Sequence, residues 1–166
     1  MSQTLEEIRQ YWNSRAEGYT LSNREELEDT SHLAVWKERI QKALEGNPCH
    51  YVLDVGCGPG FFSILLAKLG YEVTAIDYTE NMLAEARKNA ADFGVNVTFL
   101  RMDAQNLDFE DESFDLVISR NVLWNLEAPE QAYREWMRVL KKDGTLMNFD
   151  GNFYYYVTDE EYGDRT

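Results

Sequence analysis

Asp54 and the three glycines that follow it at alternate positions, Gly56, Gly58 and Gly60, are the residues whose types and spacing most directly imply chemistry. Glycine lacks Cβ, so a Gly-x-Gly-x-Gly run can enter positive φ and bring its backbone against a ligand that side chains would hold away. The apolar run Val52-Leu53-Asp54-Val55 leads into the loop. An apolar helical stretch, Phe61 to Leu69, leaves it and ends at Gly70, a favoured cap. Strand, glycine loop and helix in that order describe a nucleotide-type site. The spacing disfavours two versions of it. Dinucleotide loops read GxGxxG, whereas Phe61 stands where the third glycine would fall, and phosphate-binding P-loops end in Gly-Lys-Ser/Thr, whereas Gly60 is followed by Phe61 and Phe62. With Asp54 ahead of the loop and no basic residue before Lys68, the loop suits a cationic ligand better than a polyphosphate.

The elements that must position this loop follow from periodicity. Apolar residues at helical spacing predict helices over Leu5 to Tyr19 and His32 to Leu44. Strands are expected at Tyr51–Val55, Tyr71–Asp77, Val95–Met102, Phe114–Ser119 and Thr145–Asp150. Between the second and third, Met82 to Ala91 reads as a helix with Thr79 as N-cap and Gly94 just past its end. Pro129 opens a further helix that runs through Leu140 toward Gly144. Strands alternating with helices imply parallel pairing, so the fold class is α/β, a Rossmann-like open, mainly parallel sheet with helices on both faces. Ligands of such sheets sit outside the carboxyl ends of the strands. The strand-end residues are therefore the second constellation: Asp77 after the second strand, Asp103 after the third, and Ser119-Arg120-Asn121 after the fourth. A carboxylate at Asp77 can accept two bonds from ribose hydroxyls, and one at Asp103 can accept a bond from an adenine amino group. Each acid by itself also reads as a turn former or helix cap, and Asp54 also reads as a tie for the loop's own N–H groups.

Composition bounds the partners. Thirty acidic against sixteen basic residues leave a formal charge of −14, which repels a nucleic-acid backbone or an anionic lipid surface. No nucleic-acid partner and no membrane partner are expected, and no apolar run approaches the ~20 residues of a membrane helix. The start of the chain lacks a basic segment followed by an apolar core, so a cytoplasmic location is expected. Cys49 and Cys57 form no CxxC pattern and read as reduced thiols. With His32 and His50 the only histidines, neither a Ser/His/Asp triad nor a metal site is expected. At 166 residues one globular domain is expected, over residues 1–150, followed by an aromatic and acidic tail over 151–166.

From about Tyr11 to Asp150 the chain resembles the class I S-adenosylmethionine-dependent methyltransferases, in particular their small-molecule subgroup. The resemblance rests on the Val-Leu-Asp-Val-Gly-Cys-Gly-Pro-Gly loop, on Asp77, on the Asp103-Ala104 pair, and on Ser119-Arg120-Asn121-Val122-Leu123-Trp124 followed by Glu130 to Leu140. It implies S-adenosylmethionine as cofactor and S-adenosylhomocysteine as product, with methyl transfer to a small-molecule acceptor. The implied cofactor residues are Tyr19, Asp54, Gly56, Cys57, Gly58, Gly60, Asp77, Tyr78, Met82, Asp103, Ala104, Arg120 and Asn121. Tyr19 belongs to the segment Tyr11 to Tyr19, which resembles one that closes over the cofactor. Substrate would approach past Arg120, Asn121 and Trp124, although Trp124 reads more readily as core. No residue reads as a general base.

The resemblance also implies a sheet that continues past the fifth strand, and Asn152 to Val157 cannot supply the remaining strands. The expected architecture is thus truncated after the fifth strand. Its exposed edge, or the aromatic tail, is expected to invite a second copy of the chain into a homodimer. The alternative to an enzyme is a non-catalytic or truncated module of the same fold that binds the cofactor or a partner without turnover.

Overall fold

The computed structural model describes residues 4–150, with the side chain of Tyr19 outside the description. Six α-helices and five strands follow in the order α1 (Leu5–Asn13), α2 (Ala16–Glu28), α3 (Thr30–Ala43), β1 (Tyr51–Val55), α4 (Phe61–Lys68), β2 (Glu72–Asp77), α5 (Glu80–Asp92), β3 (Thr98–Arg101), β4 (Phe114–Arg120), α6 (Pro129–Val139) and β5 (Leu140–Phe149). The strands form one sheet in the order β3-β2-β1-β4-β5, and all its pairings are parallel. The strand order reverses direction between β1 and β4, which opens a crevice at their carboxyl ends. Along β1, alternate residues enter different cores. Val52 packs with Trp36, Ile40, Phe62 and Leu66, while Leu53 and Val55 pack with Trp136 and Val139 of α6. A sheet covered on both faces explains why β1 and β4 read as nearly continuous apolar runs.

The segment read as one helix over Leu5 to Tyr19 is two. A capping box starts α1: the Thr4 hydroxyl accepts from the Glu7 N–H and the Glu7 carboxylate accepts from the Thr4 N–H. At its other end the Ser14 hydroxyl donates to the Tyr11 carbonyl at 2.7 Å, a local bond that competes with the helical ladder. The chain restarts as α2 and continues to Glu28, well past the predicted limit. Tertiary partners hold this weakly patterned helix: the Thr20 hydroxyl donates to Glu85 at 2.9 Å, and Arg24 pairs with Asp92 at 3.0 Å, both on α5.

Two further boundaries differ from the reading. The third strand is only Thr98–Arg101, and the last helix stops at Val139 because β5 begins at once with Leu140. Phe114 pairs with Leu140 while Leu116 pairs with Thr145, so the excess residues of β5 form a bulge. Gly144, read as a helix end, belongs to that bulge; a Cβ there would lie 2.9 Å from the Lys141 carbonyl oxygen. As predicted, Thr79 precedes α5. Its side chain makes no capping bond, and Asp77 Oδ1 accepts from the Thr79 N–H instead.

Candidate functional site

The glycine loop is shaped by three different demands. Gly56 has φ +64° and a Cβ there would come within 2.5 Å of Val122 Cγ2, so tight packing against the residues after β4 forces glycine. Gly58 has φ +52° and faces open space, which leaves its backbone free to lie against a ligand. Gly60 opens α4 at φ +96°, a left-handed conformation that L side chains rarely adopt, and a Cβ there would meet Ala86 of α5 only at ordinary contact distance, 3.4 Å. It does not line the cavity, so its contribution is the turn from the loop into α4.

The loop borders a cavity of about 280 Å³ at the reversal between β1 and β4. Of the residues singled out by sequence, Asp54, Gly56, Cys57, Gly58, Asp77, Tyr78, Met82, Asp103, Ala104, Arg120 and Asn121 all line it. Tyr19 falls within α2, but its side chain lies outside the described residues. Trp124 is neither core nor cavity wall. It stands 38% exposed in a short 3₁₀ turn, with its indole N–H donating to the Asn121 carbonyl at 2.9 Å. Asn121 itself adopts φ +59°, a conformation asparagine tolerates, and its N–H donates to the Phe149 carbonyl at 2.7 Å.

The three aspartates are held in distinct ways. Asp54 is buried, and its Oδ2 accepts the Ser63 hydroxyl at 2.6 Å rather than the N–H groups of the glycine loop. That loop-tying role belongs to Asp77, whose Oδ2 accepts from the Gly58 N–H at 3.0 Å and whose Oδ1 accepts from Thr79. Asp103 accepts from the N–H and side-chain amide of Gln105 and from the Asn106 amide, which folds the turn after β3. Trp136, fully buried on α6, fixes this turn by donating to the Ala104 carbonyl at 2.9 Å.

Burial pushes the Asp54 carboxyl up to about 7, partly offset by the Ser63 hydroxyl and reinforced by the charge of Asp77. Burial also raises Asp77, against the two N–H bonds that favour its ionised form. The Cys57 thiol beside them is raised as well, first by burial and then by both aspartates. None of the three aspartates has an ion-pair partner among the described residues. The wall therefore presents uncompensated carboxyl groups, an environment that favours a cation and hydroxyl donors.

The opposite wall was anticipated only in part, through Trp12 in the covering segment Tyr11 to Tyr19. Leu5, Ile8, Arg9 and Trp12 of α1, and Ser22, Asn23 and Glu26 of α2, all line the cavity. Asn23 Oδ1 accepts from the Phe61 N–H at 3.1 Å, capping α4 from a helix 38 residues earlier in the chain. Arg120 pairs with Glu26 at 2.8 Å. The apolar stripe of α1 was visible in the sequence, but nothing local extended the covering role from Tyr11–Tyr19 to Leu5, Ile8 and Arg9 or to Ser22, Asn23 and Glu26 of α2. Among the described residues no group of three or more His, Cys, Asp or Glu side chains is placed to hold a metal ion, and no helix is long and apolar enough to cross a membrane.

This architecture has known counterparts. Residues 53–148 match the family described as Methyltransferase domain. A demethylmenaquinone methyltransferase of Staphylococcus aureus is 38% identical over 116 residues, which is 68% of this chain and 48% of that protein. An S-adenosylmethionine-dependent methyltransferase from Aquifex aeolicus superposes with a TM-score of 0.62 at 28% identity, over 76% of this chain and 70% of that one. A protein of Methanococcus maripaludis shares the fold over 99% of this chain and 84% of its own, with a TM-score of 0.75 at 24% identity. The chain spans about half the length of the curated relatives it matches.

Proposed function

The chain belongs to the methyltransferase-domain family, whose cofactor is S-adenosylmethionine, and on that premise we propose that it transfers a methyl group to a small organic acceptor. The observation that carries this reading is the convergence of Asp54, Asp77, Asp103 and the Gly56–Gly58 backbone on one cavity at the reversal of strand order. The residues fit the cofactor. Gly58 leaves open space for close backbone approach, and carboxyl groups without cations suit a positively charged ligand that carries hydroxyls.

When bound, the cofactor supplies a methyl group already activated by a positively charged sulfur. In this reading Asp77 holds the ribose hydroxyls, Asp103 and Ala104 take the adenine, and Tyr78 and Met82 flank it. The loop from Gly56 through Cys57 and Gly58 lies along the amino-acid end, with Gly60 turning the chain into α4 and Tyr19 contributed by the covering segment. Asp54 stays behind the loop, held by the Ser63 hydroxyl. Arg120 and Asn121 border the approach to the loop. The chain's task is then alignment and exclusion of water by α1 and α2, which requires no nucleophilic residue of its own.

A small acceptor is supported by the demethylmenaquinone methyltransferase relative and by the apolar residues Leu5, Ile8, Trp12, Val122 and Leu126 in the cavity wall. The net charge of −14 argues against a nucleic-acid acceptor. A cytoplasmic location accords with this reading. Because β5 forms one edge of the sheet, pairing of two copies along it is the expected form of self-association. Sedimentation of the purified chain tests it, and a monomer at all concentrations would remove it.

Calorimetric titration with S-adenosylmethionine and S-adenosylhomocysteine, followed by labelled-methyl transfer to a panel of small aromatic quinols and phenols, tests the main reading. Binding and transfer are expected. Asp77→Ala should weaken binding by about 1.5–3 kcal/mol, the worth of hydrogen bonds to a charged group. No binding of either ligand would overturn the reading, and binding without transfer to any acceptor would leave a cofactor-holding module.

A further inference from the structure

Among the described residues two cations, Arg9 and Arg120, line the cavity, and they are held differently. Arg9, on α1, gives its Nε and one terminal nitrogen to the two carboxylate oxygens of Glu6, so its fork is filled. Arg120, at the end of β4, gives only Nη1, to Glu26 Oε2 at 2.8 Å. A guanidinium carries five N–H donors. The rest of those on Arg120 have no protein acceptor among the described residues. The group is nevertheless held in place: it lies 5.3 Å from the ring centroid of Trp36 and 5.6 Å from that of Phe61, the first residue after the glycine loop. It is thus a preoriented, half-filled fork beside the loop, facing a cavity whose other wall is acidic.

Resting on the cofactor reading above, we propose that Arg120 binds the carboxylate of the cofactor's amino-acid end and that Glu26 is the internal carboxylate it displaces from that guanidinium. Exchange of one carboxylate for another keeps the Arg120 guanidinium paired with an anion throughout. The incoming group can engage two donors where Glu26 engages one. Release does not strand Glu26, because the same Oε2 lies 2.8 Å from His32 Nε2 and its side chain is 21% exposed. His32 Nε2 also lies 3.0 Å from the Trp36 indole nitrogen, and when it donates to Glu26 it cannot accept from Trp36. Asp77 on the other wall repels a carboxylate, which orients the amino-acid end toward Arg120. Until ligand arrives, the Glu26–Arg120 pair joins α2 to β4 across the cavity.

The test compares S-adenosylmethionine with its decarboxylated analogue, which lacks only the carboxylate, by calorimetric titration of the full chain. Arg120→Met keeps an apolar stem against Trp36 and Phe61 and should weaken S-adenosylmethionine binding by roughly 10- to 100-fold, the range of a charge-assisted hydrogen bond. The decarboxylated analogue should bind that variant as it binds the parent. Glu26→Gln removes the competing charge and should tighten S-adenosylmethionine binding while leaving the analogue unchanged. Equal losses for both ligands with Arg120→Met, or weaker S-adenosylmethionine binding with Glu26→Gln, would overturn the proposal and make the pair a structural tie. Failure of the parent to bind either ligand would instead remove the cofactor reading on which it rests.

Discussion

Replacing Asp54 by asparagine should stabilise the ligand-free protein at neutral and alkaline pH, and the gain should vanish in acid. In the folded chain burial lifts this carboxyl from its ordinary value of 3.8 to about 7. In the unfolded chain it ionises at the ordinary value, so between those limits the folded state holds a proton that the unfolded state has released. Stability contributed by this group is therefore fully present below pH ~4, falls as pH rises, and reaches its floor near pH 7. At 1.36 kcal/mol per unit of pKa, the rise from 3.8 to about 7 corresponds to about 4 kcal/mol. Asparagine can still accept the Ser63 hydroxyl through its amide oxygen, so the 2.6 Å contact has a substitute. Urea unfolding followed by tryptophan fluorescence, for parent and Asp54→Asn from pH 4 to 8, measures the effect. The difference between the two curves is the quantity of interest, because the remaining negative charge affects both proteins alike. It should grow with pH in the variant's favour by several kcal/mol. A difference that does not change with pH, or a variant less stable at pH 8, would refute the argument that burial of this acid is a cost of the site.

The glycine loop offers a paired contrast. Gly56→Ala should destabilise by about 2–4 kcal/mol, combining left-handed strain with the 2.5 Å approach to Val122. Gly58→Ala should cost only about 1–2 kcal/mol, since its Cβ meets open space, yet it should weaken S-adenosylhomocysteine binding; thermal melts and calorimetry on both variants separate packing from ligand approach. Asn23→Ala should cost about 1 kcal/mol by uncapping the Phe61 N–H, and denaturant melts that match the parent would show that water replaces the cap without loss.

The cavity's acidic wall was legible in the sequence because it is assembled from local signals. A glycine loop between a strand and a helix, and acids at strand ends, depend on backbone preferences within a few residues, and parallel topology then carries those ends to one edge. The roles within that wall were less legible. Asp54 and Asp77 are both acids at the end of a strand, and only packing decided that Asp77 ties Gly58 while Asp54 turns to Ser63. Gly60 shares the motif with Gly58, yet its left-handed φ of +96° serves the turn into α4 rather than the cavity. The boundary at Ser14 was missed because one side-chain hydrogen bond outweighed continuing helical propensity.

Of the opposite wall the sequence offered only the covering segment Tyr11 to Tyr19, and not the contacts that hold it in place. Asn23 capping Phe61 and Glu26 pairing with Arg120 join residues 38 and 94 positions apart. Such contacts leave no periodicity and no spacing in the chain. By itself the sequence determined a glycine loop fit for close backbone approach, which follows from short-range backbone chemistry, and its motifs, through their resemblance to a family, pointed to the cofactor. Tertiary structure decided which charges remain unpaired in the cavity, because burial and partner choice arise only when α1 and α2 pack across the end of the sheet.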